Sequence, residues 1–172
     1  VGYSAKHPVE DGAWRNSTHI IERSGRVAGT CNKNHVVIGE YEDGGILYGR
    51  EAPLIECDFG RVACAICFDL NFDELRLKHA SRRPRVVLFS SMYHGGLMQQ
   101  YWAYSCRSWF VGAVAGHPSE IRNPFGEIVA SSTNYRDFAV SEANLDFCLA
   151  HLDYNWEKLS TLKRNYGGQV DI

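Results

Sequence analysis

The residue best suited to chemistry in this chain is a cysteine placed where an apolar stretch gives way to a polar one. The stretch at residues 62–68 contains Cys67 and is followed by Asp69 and Asn71. An apolar run without alternation predicts a buried strand, parallel rather than antiparallel. Asn71 followed by Glu74 predicts the start of a helix. Because backbone N–H groups at a helix start stabilise negative charge on sulfur and oxygen, Cys67 is the candidate nucleophile.

A cysteine nucleophile needs a positive group nearby, and Lys33 is the candidate. Lys33 ends one predicted strand and Cys67 ends another, with a predicted hairpin between them. If the strands are neighbours, both side chains open at the edge of the sheet where α/β proteins bind ligands. An ammonium group there can stabilise the oxyanion that forms when sulfur attacks a carbonyl carbon. Glu40 and Glu42 supply carboxylates beside the lysine, and residues 90–96 form another wall.

Other residues that could carry chemistry have simpler explanations. Cys64 and Cys67 form a C-x-x-C pair, but the apolar setting of Cys64 predicts a core residue. His35, His94 and His117 lack the spacing of metal ligands, so packing or loop hydrogen bonds explain them best. We therefore predict no metal and no cofactor. A Cys–His protease is disfavoured because no histidine has a recognisable partner context.

Composition limits the classes of protein to which the chain can belong. The 172 residues are 45% hydrophobic and 22% charged, with a net charge of -2, which predicts a globular domain. That charge disfavours nucleic acid and acidic membranes as partners, and no apolar stretch approaches the roughly 20 residues that cross a bilayer. The six cysteines lie largely in apolar runs rather than loops, which predicts reduced thiols and a cytoplasmic location.

The pattern of elements predicts one mixed α/β sandwich over residues 1–172. Loops are expected at 1–16 and 40–49. Strands are expected at residues 17–22, 27–31, 54–58, 62–67, 85–89, 110–115, after the turn at 123–126, and at 138–145. Helices are expected at residues 72–83, 97–109 and 154–166. The alternation of strands and helices in the middle of the chain favours a parallel arrangement there.

Two stretches of the chain resemble the nitrilase superfamily of carbon–nitrogen hydrolases, which cleave amides, carbamoyl groups or nitriles with a Glu-Lys-Cys triad. They are CNKNHVVIGEYEDGG (31–45) and YGREAPLIECDFGRVACAICFDLNFDELR (48–76). The residues that match the family's nucleophile context are Ile66, Cys67, Asp69, Phe72 and Glu74. The usual proline before the glutamate is Asp73 here, while segments 14–17 and 123–127 fit the family in order and spacing.

The resemblance implies a nitrilase-like α-β-β-α sandwich with mixed sheets, incomplete at both ends, and assigns roles to particular residues. Cys67 would form a thioester or thioimidate, and Lys33 would stabilise the oxyanion together with the backbone N–H of Phe68. Glu42 best matches the family's second glutamate, which lies beside the lysine, and Glu40 is its rival. The residues expected to face the substrate are Ser91, Tyr93 and His94.

One departure from the family concerns its general base. That glutamate lies well upstream of the lysine, and the residues that precede Lys33 match the segment after it. The resemblance thus implies a partial domain that hydrolyses little by itself. The parent protein would be a homo-oligomer acting on a small amide, carbamoyl or nitrile substrate. The alternative is a non-catalytic nitrilase-like module kept for assembly.

Overall fold

The computed structural model describes the backbone of residues 2–3 and all of residues 13–172. The strands are β1 (Gly2–Tyr3), β2 (Ser17–Ile21), β3 (Val27–Asn32), β4 (Ile55–Cys57), β5 (Gly60–Ile66), β6 (Val86–Ser91), β7 (Trp109–Val114), β8 (Glu120–Arg122) and β9 (Ile128–Ser131). The helices are α1 (Ile38–Glu42), α2 (Asp73–Arg82), α3 (Leu97–Cys106) and α4 (Trp156–Tyr166). None of these helices is long and apolar enough to cross a bilayer.

The described strands form two sheets. Strands β1, β2 and β3 make a small antiparallel sheet, and β4 to β9 follow one another in a larger sheet of six strands. Within the larger sheet β5, β6 and β7 are parallel, whereas β4, β8 and β9 pair antiparallel to their neighbours. The parallel strands are joined by α2 and α3, so the predicted strand–helix–strand–helix–strand unit is present in the predicted order.

Both faces of the larger sheet are buried. Successive side chains of β5 point to opposite faces and therefore belong to two different cores. Ala63 and Ala65 belong to a core shared with the helices, in which Trp102 is fully buried. Val62 and Cys64 belong to a second core. This second core continues into the small sheet through Ile20 and Cys31. Helices therefore cover one face of the larger sheet and the small sheet covers the other.

The structure differs from the sequence-based expectation in several places, among them β8, a short strand that the sequence did not predict. Residues 2–3 form β1 within the expected N-terminal loop, of which residues 1 and 4–12 lie outside the described residues. The expected loop at 40–49 begins inside α1, a helix too short for an apolar period to reveal. The segment 138–145 is not a strand, and its Phe138 and Val140 side chains are 65% and 78% exposed.

The reason for the missing strand is that other contacts hold the end of this segment. Arg85 donates a hydrogen bond from Nη1 to the carbonyl oxygen of Leu145 at 2.6 Å. Trp109 donates from Nε1 to the carbonyl oxygen of Asn144 at 3.0 Å. The carbonyl oxygens of Asn144 and Leu145 thus accept hydrogen bonds from side chains at the end of the larger sheet, rather than from a neighbouring strand.

Candidate active site

Cys67 lies at a sharp turn where β5 ends. Its φ angle is 50°, in the left-handed region that non-glycine residues seldom adopt. The turn continues as a short 3₁₀ helix, Cys67–Asn71, which contains Phe68. At the start of a helix the N–H groups have no partner within the helix, so the Phe68 N–H is a suitable oxyanion donor. The Cys67 side chain is half-buried rather than enclosed in the core.

A cavity of about 700 Å³ opens beyond the carboxyl ends of β5, β6 and β7, and Cys67 and Lys33 both line it. The hydroxyl groups on its wall come from Ser17, Thr18, Ser90, Ser91 and Ser119. Its apolar lining comes from Val37, Ile66, Met92, Ala113, Val114 and Ala115. The sequence analysis expected Lys33 and Cys67 to end neighbouring strands of one sheet, but β3 belongs to the small sheet and β5 to the larger one. The two residues share the cavity because the small sheet packs on the larger sheet.

Lys33 is almost completely buried, with 2% of the residue exposed. Its Nζ lies 2.5 Å from Glu40 Oε2. A buried ammonium group requires a partner of this kind, because desolvating it alone costs several kcal/mol. The backbone of Lys33 is also held, since its N–H donates to the Asn16 carbonyl oxygen at 2.8 Å and its carbonyl accepts from the Gly49 N–H at 2.7 Å.

The Glu40 carboxylate accepts hydrogen bonds from three donors. Besides Lys33, the Asn16 side-chain amide donates to Oε1 at 2.8 Å and the Val37 N–H donates to Oε2 at 3.1 Å. Burial raises the pKa of Glu40, but these hydrogen bonds outweigh it and the pKa lies below its ordinary value. Glu42 lies on the same short helix and is exposed. The carboxylate beside Lys33 is therefore that of Glu40, the rival of Glu42 in the sequence analysis.

Asp69 joins the Cys67 turn to the end of the Lys33 strand. Its Oδ1 accepts the backbone N–H groups of Asn34 at 3.0 Å and His35 at 2.7 Å. The His35 ring contributes Nδ1 at 3.0 Å from the same oxygen, while Oδ2 accepts the Ile66 N–H at 3.2 Å. Burial raises the pKa of Asp69, and the hydrogen bonds from His35 and Ile66 oppose this rise. The sequence predicted that Asp69 shapes the turn after the nucleophile, and its bond to the Ile66 N–H agrees with this. It gave no sign of the contacts with Asn34 and His35.

The three residues expected to face the substrate occupy different positions. Ser91 lines the cavity beside Cys67. Tyr93 packs its ring against Phe89, and His94 Nε2 lies 3.3 Å from Glu120 Oε1. Neither the tyrosine nor the histidine belongs to the lining formed by the described residues. Ser91 is therefore the one of the three in the described lining. Burial raises the pKa of Tyr93, and this residue lies close enough to Cys67 and Asp69 that their charges add to the rise.

The comparisons with known proteins identify the family. The model of the carbon–nitrogen hydrolase family matches residues 1–108. This chain belongs to that family. It is also 25% identical to the chloroplastic omega-amidase of Arabidopsis thaliana, in a match that covers 59% of this chain and 31% of that protein.

Solved structures of the same superfamily share the fold. The C. elegans NitFhit protein superposes with a TM-score of 0.72 and 22% identity, covering 99% of this chain and 46% of that one. Saccharomyces cerevisiae Nit3, a member of branch 10 of the nitrilase superfamily, superposes with a TM-score of 0.62 and 19% identity. That match covers 70% of this chain and 50% of Nit3. The predicted nitrilase-like fold is confirmed, and the chain spans half or less of these relatives.

Proposed function

We propose that this chain carries the nucleophile and the oxyanion-binding groups of a thiol hydrolase that cleaves non-peptide C–N bonds in small molecules. Family membership supports hydrolysis of a C–N bond in general. The observation that carries the assignment to particular residues is the shared cavity, whose wall holds Cys67 together with the buried Lys33–Glu40 pair. A cation buried in the wall of the same cavity that a half-buried thiol lines has a clear use in acyl transfer and little use in packing.

In the proposed reaction the Cys67 sulfur attacks the carbonyl carbon of an amide or carbamoyl group. Negative charge develops on the carbonyl oxygen, where Lys33 Nζ and the Phe68 N–H stabilise it. The C–N bond then breaks, and the amine leaves with the proton that the Cys67 thiol gave up, so that a thioester remains on Cys67. Water then hydrolyses the thioester, which releases the acid and restores the thiol. The role of Glu40 is to hold the Lys33 ammonium in place.

Glu40 itself is a poor candidate for the general base. Its pKa is lowered by the donors around it, so it accepts a proton less readily than an ordinary carboxylate. The resemblance to the superfamily assigns proton transfer to a glutamate upstream of Lys33. We therefore propose that Cys67 in this chain accepts an activated acyl group readily but hydrolyses simple amides slowly.

The character of the cavity supports an uncharged substrate. Among the described residues of its lining, Lys33 and Glu40 are the charged side chains, and they neutralise one another. Besides the Cys67 thiol, the remaining lining residues are uncharged: hydroxyl residues, Asn16 and apolar side chains. They suit a neutral amide or carbamoyl compound rather than a carboxylate. The resemblance to an omega-amidase supports an amide in particular.

An acylation experiment tests the assignment. The chain is incubated with p-nitrophenyl acetate, and peptide mapping locates the acetyl group among the six cysteines. We expect acetyl-Cys67 in the wild type and slower acetylation of Cys67 in Lys33→Met. Cys148 is an exposed thiol away from this cavity, but it lies among arginines, so its rate serves only as a reference for a correctly folded variant. Acetylation of Cys67 at the same rate in Lys33→Met would overturn the assignment and favour the non-catalytic assembly module.

A further inference from the structure

A second cavity, lined by arginines, lies at the opposite end of the larger sheet. It has a volume of about 290 Å³, and its wall includes Arg61, Arg83, Arg85 and Arg107. We refer to it as the arginine cavity. Four arginines at one place are unexpected in a chain whose net charge is -2. Arg61 is near the start of β5 and Cys67 follows its end, so the two cavities are about 20 Å apart along the strand.

Two of the arginines are neighbours on adjacent parallel strands. The register pairs Val62 with Val86, so Arg61 and Arg85 lie side by side one residue earlier. The Arg85 N–H donates to the Arg61 carbonyl oxygen at 2.8 Å, which fixes this arrangement. Like charges placed next to one another across strands destabilise a sheet. An anion between them would remove the repulsion.

The other two arginines end the helices that lead into β6 and β7. Arg83 follows α2 with a φ of 51°, and Arg107 follows α3 with a φ of 53°. Helices commonly end in this left-handed conformation, but glycine is the residue that adopts it without strain. An arginine at both positions therefore costs backbone energy, which its charge offsets in part because a cation is favoured at the negative end of a helix dipole. Both residues line the same cavity.

Three of the four guanidinium groups are held in position by carbonyl oxygens, and none is neutralised by a carboxylate of the described residues. Arg85 Nη1 donates to the Leu145 carbonyl oxygen at 2.6 Å, and Arg107 Nη1 donates to the Leu149 carbonyl oxygen at 3.1 Å. Arg61 Nη2 donates to the Arg83 carbonyl oxygen at 3.4 Å. Within residues 13–172 none of the four arginines forms an ion pair with a carboxylate. Since each guanidinium has five N–H donors, most remain available.

We propose that the arginine cavity binds a small phosphate-bearing molecule. Guanidinium groups bind phosphate oxygens through paired N–H donors, and several arginines at one site suit a dianion better than a single carboxylate. The volume is at the lower limit for sites that enclose small organic ligands, which fits a phosphomonoester. The proposal is independent of the hydrolase function, because it involves neither Cys67 nor its cavity.

The test is calorimetric titration of the chain with inorganic phosphate at constant ionic strength. We compare the wild type with Arg61→Gln, Arg83→Gly and the control Arg136→Gln, which removes an exposed arginine outside the cavity. Saturable binding is expected, with Kd raised at least tenfold by either cavity substitution and unchanged in the control. Arg83→Gly keeps the fold because glycine suits the left-handed position. Non-saturable heats, or equal weakening in Arg136→Gln, would overturn the proposal.

A second titration distinguishes free phosphate from a phosphorylated molecule. Glycerol 3-phosphate is compared with inorganic phosphate and with glycerol, which lacks the charged group. Tighter binding of glycerol 3-phosphate than of phosphate identifies a phosphomonoester as the ligand class, whereas equal affinity identifies the inorganic ion. Binding of glycerol itself, or equal binding of chloride at the same ionic strength, contradicts a phosphate site.

Discussion

The two ends of the parallel strands use the same unusual backbone conformation in different ways. Cys67 has a φ of 50° where β5 ends, and Arg83 and Arg107 have φ values of 51° and 53° where α2 and α3 end. The arginines follow an ordinary helix ending, in which the Arg83 N–H donates to the Ala80 carbonyl oxygen at 3.2 Å. Any residue that tolerates the conformation can end a helix in this way.

The turn at Cys67 is different because it depends on a buried side chain. Asp69 holds the Ile66 N–H just before the turn and the Asn34 and His35 N–H groups beside Lys33. Its carboxylate therefore fixes the distance between the end of β5 and the end of β3. The comparison teaches that at one end of the sheet the backbone is held by a buried carboxylate that fixes the position of the Cys67 sulfur. At the other end the backbone is that of ordinary helix endings, and only the arginine side chains distinguish it.

Replacing Lys33 should have the largest effect on the Cys67 end. In Lys33→Met the Glu40 carboxylate keeps its partly buried position but loses its cation, so we expect a loss of about 3 kcal/mol in the free energy of unfolding. Acylation of Cys67 should slow by about 10²-fold or more, because the oxyanion loses its cation. Urea denaturation and the p-nitrophenyl acetate assay measure the two effects. The double variant Lys33→Met/Glu40→Gln is the control and should recover stability but not acylation.

Acid should weaken α2, the helix that connects the two ends. Burial lowers the pKa of His79 to about 4, and the charge of Arg82 adds to this. The ordinary pKa is near 6.5, so the unfolded chain takes up a proton before the folded one does. Stability is therefore full above about pH 6.5 and falls by about 3 kcal/mol as the pH drops toward 4.

The contribution of His79 can be isolated with His79→Leu. Urea denaturation of this variant between pH 7 and pH 4 should give a flatter dependence than that of the wild type. Parallel curves for the two proteins would show that the acid sensitivity comes from other groups.

Asp69→Asn should weaken the hydrogen bonds that hold the turn at Cys67. An amide keeps one oxygen but replaces the other acceptor with a donor, so at least one of the backbone N–H groups at Asn34, His35 or Ile66 loses its partner. A buried donor left without a partner costs about 1–3 kcal/mol. Amide hydrogen exchange should show faster exchange at these three N–H groups. Unchanged exchange there would mean that Asp69 does not hold the turn.

Arg83→Gly should have the smallest effect and the opposite sign. Removing the strain of a left-handed non-glycine residue at a helix end should raise the free energy of unfolding by up to about 1 kcal/mol. Thermal denaturation measures this change, and acylation of Cys67 should be unaffected. Asp73→Gly, inside the first turn of the same helix, is the control and should destabilise the protein. A large loss of stability in Arg83→Gly would contradict the distinction between the two ends.

The sequence predicted the parts of the site that depend on local pattern. The uninterrupted apolar residues before Cys67 predicted a buried strand, and the polar residues after it predicted a turn into a helix. Both features are present in β5 and α2. The sequence predicted that Lys33 and Cys67 come together, and both line the cavity. The expected reason was wrong, because β3 and β5 are not neighbours in one sheet but lie in two sheets packed on each other.

The parts that were missed depend on contacts between distant residues. The choice between Glu40 and Glu42 depends on α1, five residues long, whose Glu40 carboxylate binds Lys33 and the Val37 N–H. Asp69 contacts backbone groups 34 and 35 positions earlier in the chain. The arginine cavity likewise combines residues from separate strand and helix ends. Spacing along the sequence does not predict such contacts.

The reaction rates of two cysteines test the central claim most directly. Cys67 is half-buried in the cavity, whereas Cys148 is exposed. Alkylation with iodoacetamide at pH 7, followed by peptide mass spectrometry at timed intervals, gives a rate for each. If Cys67 is held as a nucleophile beside Lys33, it reacts at least tenfold faster than Cys148, and Lys33→Met slows Cys67 alone. Cys148 lies beside the arginine cavity, whose charges also favour its thiolate, so the comparison within Cys67 decides. A Cys67 that reacts at the same rate in Lys33→Met as in the wild type would contradict the account.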